Sequence, residues 1–446
     1  MYKFPECNMN KSAKIIITSA VLVLLMCTSA LADGWTQDSK GWRYLKGGLP
    51  VYDEWAADAA GDFFYIGPDG YMTVSQFVDD NRYVDSTGRM VKSDWRQIDG
   101  VWYYFDINGR MIQGKKKVIN GQTYIFDDDG AMITGWYMDG TDWYYCDPVN
   151  GSLVKETWKK LEPAEDMPEI SDFMAESESW FYFTSSGKIY KAGDSDGEYR
   201  EYKIGDSRYA FDNCGRMQTG WVKLEDKDPA IAGYKYYNDS EALGVYGAAH
   251  TGWLSAYVPE EIDASDDVEW YYFDSRGVPC YGERDGLALI VNLKKITKNG
   301  TTYSYLFNEK GNPVYGLQRV KTPDGTETSM YFGTKSQSCL QKATQVIEGD
   351  GSSYKYGFTN AGYGINGPSN GYLYYKGKAQ RATDDLRAYF TVGGETYLVN
   401  SNGYLIKNFN KNKDPKEVEY RSDSTGRRDG GTAGVTPVDE PYYQED

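Results

Sequence analysis

A single histidine, His250, stands in a chain of 446 residues that also holds 12 tryptophans, 41 tyrosines and 16 phenylalanines. One imidazole excludes a histidine-rich zinc site and leaves any Ser-His-Asp or Cys-His mechanism a single residue to run through. Carboxylates suited to general acid–base work are plentiful among the 65 Asp and Glu, but abundance alone defines no site. Asp194, Asp196 and Glu198 alternate as calcium ligands do, yet Tyr199 stands where such a loop requires Gly. The run from Asp127 to Gly130 reads as a hairpin turn. No metal and no cofactor is therefore expected. The side chains left to do chemistry are flat rings: Trp35 and Trp42, Trp95 and Trp102, Trp136 and Trp143, each pair seven residues apart. A cation over such a ring gains about 0.5–2 kcal/mol per good contact. Sugar faces stack on the same surfaces.

The elements that position these rings belong to an exported chain. Lys3, Lys11 and Lys14 precede an apolar run from Ile15 to Met26, followed by Thr28, Ser29, Ala30, Leu31 and Ala32. That order of basic, apolar and small residues reads as a signal peptide over 1–32, with Asp33 the first mature residue. The run is too short for a membrane span. Cys27 would suit a lipid-attached signal, but Met26 is bulky where a small residue is expected. A formal charge of -17 argues against nucleic acid, which needs a basic face. Cys146, Cys214, Cys280 and Cys339 follow the signal; four cysteines allow three disulfide pairings or none.

The body of the chain is repetitive. Trp102-Tyr103-Tyr104-Phe105 leads through Asp106 to Gly109 and Met111, and the pattern recurs at Tyr124 to Met132 and Trp143 to Leu153. Gly88, Gly109, Gly130 and Gly151 are each 21 residues apart. Aromatic runs favour strands, and Asx residues with Gly supply turns with positive φ. A lone two-stranded hairpin is marginal in water, so neighbours must stack. The expected fold is all-β, a solenoid of stacked two-stranded β-hairpins. Four regions follow the signal: regular repeats over 33–158, repeats with acidic loop insertions over 159–283, diverged Trp-free repeats over 284–410, and a polar, disordered tail over 411–446.

Gly-Trp, a short loop, Trp-Tyr-Tyr-Phe-Asp, Gly-x-Met and a further Gly-Trp resemble the choline-binding and clostridial cell-wall-binding repeat family, which is related to glucan-binding and toxin-tail repeats. The opening Asp33-Gly34-Trp35 to Trp42-Arg43-Tyr44 is similar to the start of such surface proteins. The resemblance implies ligand boxes between successive hairpins, made of two or three rings often floored by a Met. Carried over by position, one box uses Trp95, Trp102, Met111 and Tyr124; a second uses Trp136 and Trp143 with Met132. Trp35 and Trp42 form a partial third with Phe64, and Trp253 with Trp270 keep the ring types around a long insert.

The resemblance implies a non-catalytic, secreted protein held non-covalently on the cell wall through wall polymer, either choline-decorated teichoic acid or wall glycan. The alternative is a carbohydrate-binding adhesin or host-surface glycan binder. A wall hydrolase is the less favoured reading, because no stretch of about 100 residues is free of repeats to form a catalytic domain. Oligomeric state is not encoded in any recognisable signal.

Overall fold

The structure, a computed structural model, describes residues 33–167, 177–193, 198–262, 267–383, 386–413 and 419–444. The signal over 1–32, residues 194–197 of the calcium-like run, and parts of both acidic inserts lie outside the described residues. The chain divides into two compact units, Met1–Val154 and Lys155–Asp446. Both are all-β, built from antiparallel hairpins with only two short 3-10 turns among the described residues.

The hairpin geometry follows from short apolar strands and two-residue tips. Asp94–Ile98 pairs with Val101–Phe105, setting Trp95 opposite Tyr104 and Gln97 opposite Trp102. Its tip is Asp99 and Gly100, with φ of 50° and 87°. That left-handed pair gives the twist a tight hairpin needs. The sequence reading put the hairpin turn at Asp106 to Gly109, and the structure corrects it. The hairpin closes between the two tryptophans, whereas the Asp106 turn follows it and ends on a single bridge from Phe105 to Met111. Asp106 Oδ1 accepts the N–H groups of Asn108 and Arg110, both at 2.9 Å, so the side chain closes this turn locally.

Stacking within each unit is visible in the hydrogen bonds that reach back one hairpin. Met72 N–H donates to the Trp42 carbonyl and Met132 N–H to that of Trp102, each at 2.8 Å; Met217 N–H donates to Trp180 at 2.9 Å. The 21-residue glycine ladder now has a second cause. Gly130 sits at φ 83°, and a Cβ there would meet Met111 Sδ at 2.7 Å. Gly88, Gly109 and Gly151 face Met72, Met90 and Met132 in the same way. The core is one fully buried slot per hairpin, filled by Phe105, Phe126, Phe183, Phe211, Phe273 or Phe307. Cys146 occupies that slot in its own hairpin and is fully buried, with its thiol pushed up to about 12 by burial. All four described cysteines are free thiols.

The C-terminal part of the second unit departs from simple hairpins. Ala288–Ile290 pairs in parallel with Leu317–Lys321, and Val435–Thr436 in parallel with Arg387–Val392. The tail expectation for 411–446 is corrected over 419–444. Glu419–Ser422 pairs with Arg428–Gly431, Tyr420 is buried, and Gln444 N–H donates to Leu317 at 2.8 Å. The buried Lys378 ammonium holds Glu348 at 3.1 Å and Asp439 at 3.0 Å. A polar composition did not prevent order here, because the ammonium, Gln380 and open strand edges supply partners for it.

Candidate aromatic binding sites

Each paired-tryptophan hairpin presents the same construction. The first Trp stands opposite a Tyr, and the second lies two residues nearer the tip on the facing strand. This register holds for Trp35 and Trp42, Trp95 and Trp102, Trp136 and Trp143, Trp158 and Trp180, and Trp253 and Trp270. Inserts between the tryptophans lengthen the tip without moving the rings. The Trp253 pair therefore survives its insert.

Around Trp95 the rings of Trp102 and Tyr124 lie at 6.4 and 4.8 Å, inclined at 83° and 68°. Phe126 stacks beneath at 5.7 Å. Burial raises the Tyr124 hydroxyl above its ordinary range, which keeps that ring neutral. Trp102 is 42% exposed, so one wall of the box is open to solvent while Trp95 is half-buried. Met132 packs with Trp95 and Tyr124. The Met expected here, Met111, instead packs with Phe77, Tyr83 and Phe105, one junction earlier. The Met comes from the turn that follows the next hairpin, one repeat later than the carry-over assumed. Met132 consequently belongs to the Trp95 box rather than with Trp136. Trp136 and Trp143, 6.0 Å apart at 85°, lie on the last hairpin of the first unit.

Trp35, Trp42, Phe64 and Met72 repeat the arrangement and line a cleft of about 340 Å³ with Asp58 and Thr87. Trp35 and Phe64 are 5.2 Å apart at 77°. A carboxylate beside three rings and a thioether suits a cation that is both charged and greasy. A larger cleft of about 420 Å³, lined by Arg276, Cys280, Tyr281 and Lys294 among others, contains no tryptophan.

One box was missed by the sequence reading. Trp158 meets Trp180 at 6.5 Å and Tyr209 at 4.8 Å, over a stacked Phe211 and with Met217 bonded back to Trp180. The insert over 159–179 hid the seven-residue pair. A spacing that insertions leave alone would have found it: Phe64 to Met72, Tyr124 to Met132 and Tyr209 to Met217 are each eight residues apart. Trp253 has Trp270 at 6.4 Å and Tyr305 at 5.0 Å, but Pro313 takes the Met position. Pro has no N–H to donate, and the Asn312 amide bonds the Trp270 carbonyl instead at 3.3 Å.

His250 is structural. Its ring nitrogens lie 2.8 Å from Asn238 Oδ1 and 3.3 Å from the Trp253 carbonyl, and burial holds its pKa below the ordinary 6.5, opposed by that carbonyl. The string Gly367-Pro368-Ser369-Asn370-Gly371 has the Gly-x-Ser-x-Gly spacing, which signals a nucleophile only on a strand-to-helix turn. Here it is a hairpin tip, with Asn370 and Gly371 at φ of 49° and 81°. No cluster of three metal-ligating side chains occurs among the described residues. No described helix is long and apolar enough to cross a membrane.

Comparison with known families agrees with the geometry. Residues 116–158 match the choline-binding repeat model, and residues 93–111 match the cell wall binding repeat model. These segments carry repeats of the choline-binding family. None of the curated proteins matches the chain. Among solved structures, the chain is similar to the modular autolysin LytC of Streptococcus pneumoniae at 20% identity and a TM-score of 0.38, covering 64% of this chain. It spans only about half, 54%, of that autolysin's length. CbpJ of the same organism matches at 19% identity, with TM-score 0.36, 66% of this chain and 99% of its own. Choline binding protein F of S. pneumoniae matches at 20%, with TM-score 0.35, 71% and 99%.

Proposed function

We propose that this protein is a non-catalytic, secreted wall-binding protein that takes choline on cell-wall polymer into aromatic boxes between its hairpins. The observation that carries the reading is the Trp35 cleft, where two Trp rings, Phe64 and Met72 surround a space bordered by Asp58. A quaternary ammonium has no N–H to satisfy, so ring faces and a nearby carboxylate recognise it without a hydrogen-bonding partner. Trp95 with Trp102, Tyr124 and Met132, and Trp158 with Trp180, Tyr209 and Met217, serve as further boxes of the same kind.

The Trp253 junction supports a second reading, as a sugar platform. There the thioether is replaced by Pro313, and the Asn312 amide stands beside a Trp270 ring that is 52% exposed. Purified protein passed over a choline-bearing resin should be retained and released by free choline, with a change in Trp fluorescence. Flow-through with unchanged fluorescence, together with retention on wall glycan in excess choline, would replace choline with sugar. Clearing of a peptidoglycan gel would overturn the non-catalytic assignment.

A further inference from the structure

The hairpin junction between the Trp35 and Trp95 boxes has the same framework but different side chains. Trp55 stands opposite Tyr65, and Phe63 lies two residues nearer the tip on the facing strand, the place Trp42 and Trp102 hold in theirs. Met90 N–H donates to the Phe63 carbonyl at 2.8 Å, as Met72 does to Trp42. Eight residues before Met90, where Phe64 and Tyr124 precede their own Met, stands Arg82. Its guanidinium carbon lies 5.9 Å from the Trp55 ring centre. Asp79 ties the arrangement together, pairing with Arg82 and accepting the Trp55 indole N–H at 3.2 Å. The second ring is covered as well: the Lys92 ammonium lies 5.2 Å from the centre of Phe63.

The same exchange occurs once more in the first unit. Lys116 occupies the position of the first Trp, and its ammonium lies 3.4 Å from the centre of the buried Tyr144 ring. Asp139 pairs with it at 3.4 Å. In contrast, among the described residues no Lys or Arg lies over Trp35, Trp42, Trp95, Trp102, Trp158, Trp180, Trp253 or Trp270.

From this contrast we infer that the Trp55 junction is a cation box filled by the protein's own Arg82 and Lys92, and closed to outside ligand. The physical reason is effective concentration. A guanidinium tethered on the adjoining hairpin competes with free choline at millimolar or higher local concentration, and it brings its own counter-ion in Asp79. A dissolved ligand would also have to leave Asp79 and Arg82 to rearrange. The number of ligands per chain is therefore set by which junctions carry a ring, and which a cation, eight residues before the floor residue. The inference rests on the choline reading for the open boxes, but the filling itself is a property of the free protein.

Two measurements on the full mature chain test it. In the wild type, the Arg82 side-chain Nε–H resonance should be shifted upfield by the Trp55 ring, should stay so at saturating choline, and should lose the shift in Trp55→Ala. Calorimetric titration with choline should give one more site per chain for the double variant Arg82→Tyr, Lys92→Gln than for the wild type. Adding Trp55→Ala to that double variant should remove the extra site. An unshifted Arg82 resonance, or one moved by choline, overturns the inference. So does an unchanged stoichiometry in a double variant whose circular dichroism is native. A shifted Arg82 in a wild type that binds no choline anywhere would defeat the choline reading while upholding the internal filling.

Discussion

Rings serve two purposes in this chain, and comparing the paired-Trp hairpins with the Trp-free region over 284–444 separates them. At the Trp95 hairpin the Phe slot makes the core, and the second Trp is left 42% exposed as a wall without a roof. In the Trp-free region the large rings are themselves the core. Tyr389 and Tyr356 are essentially fully buried, and their hydroxyls are satisfied inside, Tyr389 donating to the Arg421 carbonyl at 2.7 Å and Tyr356 to Glu348. Burial, then the Glu348 contact, raises the Tyr356 hydroxyl far above its ordinary range, so it stays a donor. Aromatic content alone does not mark a binding surface. What marks one is a second ring, held off the core by strand register, with the next hairpin's Met behind it.

The largest expected effect tests the core side of that contrast. Tyr389→Ala should lower the stability of the second unit by about 3–5 kcal/mol, as large buried rings do on truncation. Chemical denaturation reads this, and choline binding at the Trp95 box should be unchanged. Equal loss of binding would break the division between the two regions. A middle-sized effect distinguishes the two tryptophans of one box. Trp95→Ala should remove one ligand site and also destabilise the fold by about 3 kcal/mol, because the ring packs on Tyr124 and Phe126. Trp102→Ala should remove the same site while the melting temperature holds. Parallel titration and thermal melts check the pair.

The smallest effect concerns His250. Its folded pKa lies below the ordinary 6.5 because burial disfavours the imidazolium. Below pH 6.5 the unfolded chain therefore binds the extra proton first, and stability falls as pH drops from there through the folded value. Above pH 6.5 this contribution is fully present. Melting curves between pH 5 and 7 should show a slope that His250→Gln reduces, and an unchanged slope would reassign it to the turn carboxylates. Asp274 is one of those, held below its usual range by the N–H groups of Val278 and Arg276 against the opposing effect of its burial.

Much of this molecule was legible in its residues. The repeat period, the all-β class and the ring pairs at Trp35, Trp95 and Trp136 follow from local chemistry: aromatic strands, Asx-Gly turns and a glycine every 21 residues. Local chemistry also explains why Asp127 to Gly130 is a turn and not a metal loop, since Asp127 Oδ1 accepts the N–H groups of Asp129 and Ala131 at 3.0 and 2.8 Å. The partners of each ring were not local, and there the reading slipped. Met132 rather than Met111 backs Trp95, because hairpins bond back one step along the stack. Trp158 and Trp180 form a box across an insert of 21 residues, because strand register ignores what the tip contains.

The residues by themselves determined the unit: a two-stranded hairpin with a Trp on each strand, an Asx turn and a Met, repeated along the chain. Tertiary structure alone decided which units meet, and so which junctions stand open and which are filled by Arg82 or Lys116. It also gave order to residues 419–444, whose polarity suggested none, by offering them strand edges and a buried ammonium. Hydrogen-bond and ring geometry within a hairpin depends on neighbours a few residues away, whereas a box between hairpins depends on groups some 30 residues apart, brought together only by stacking.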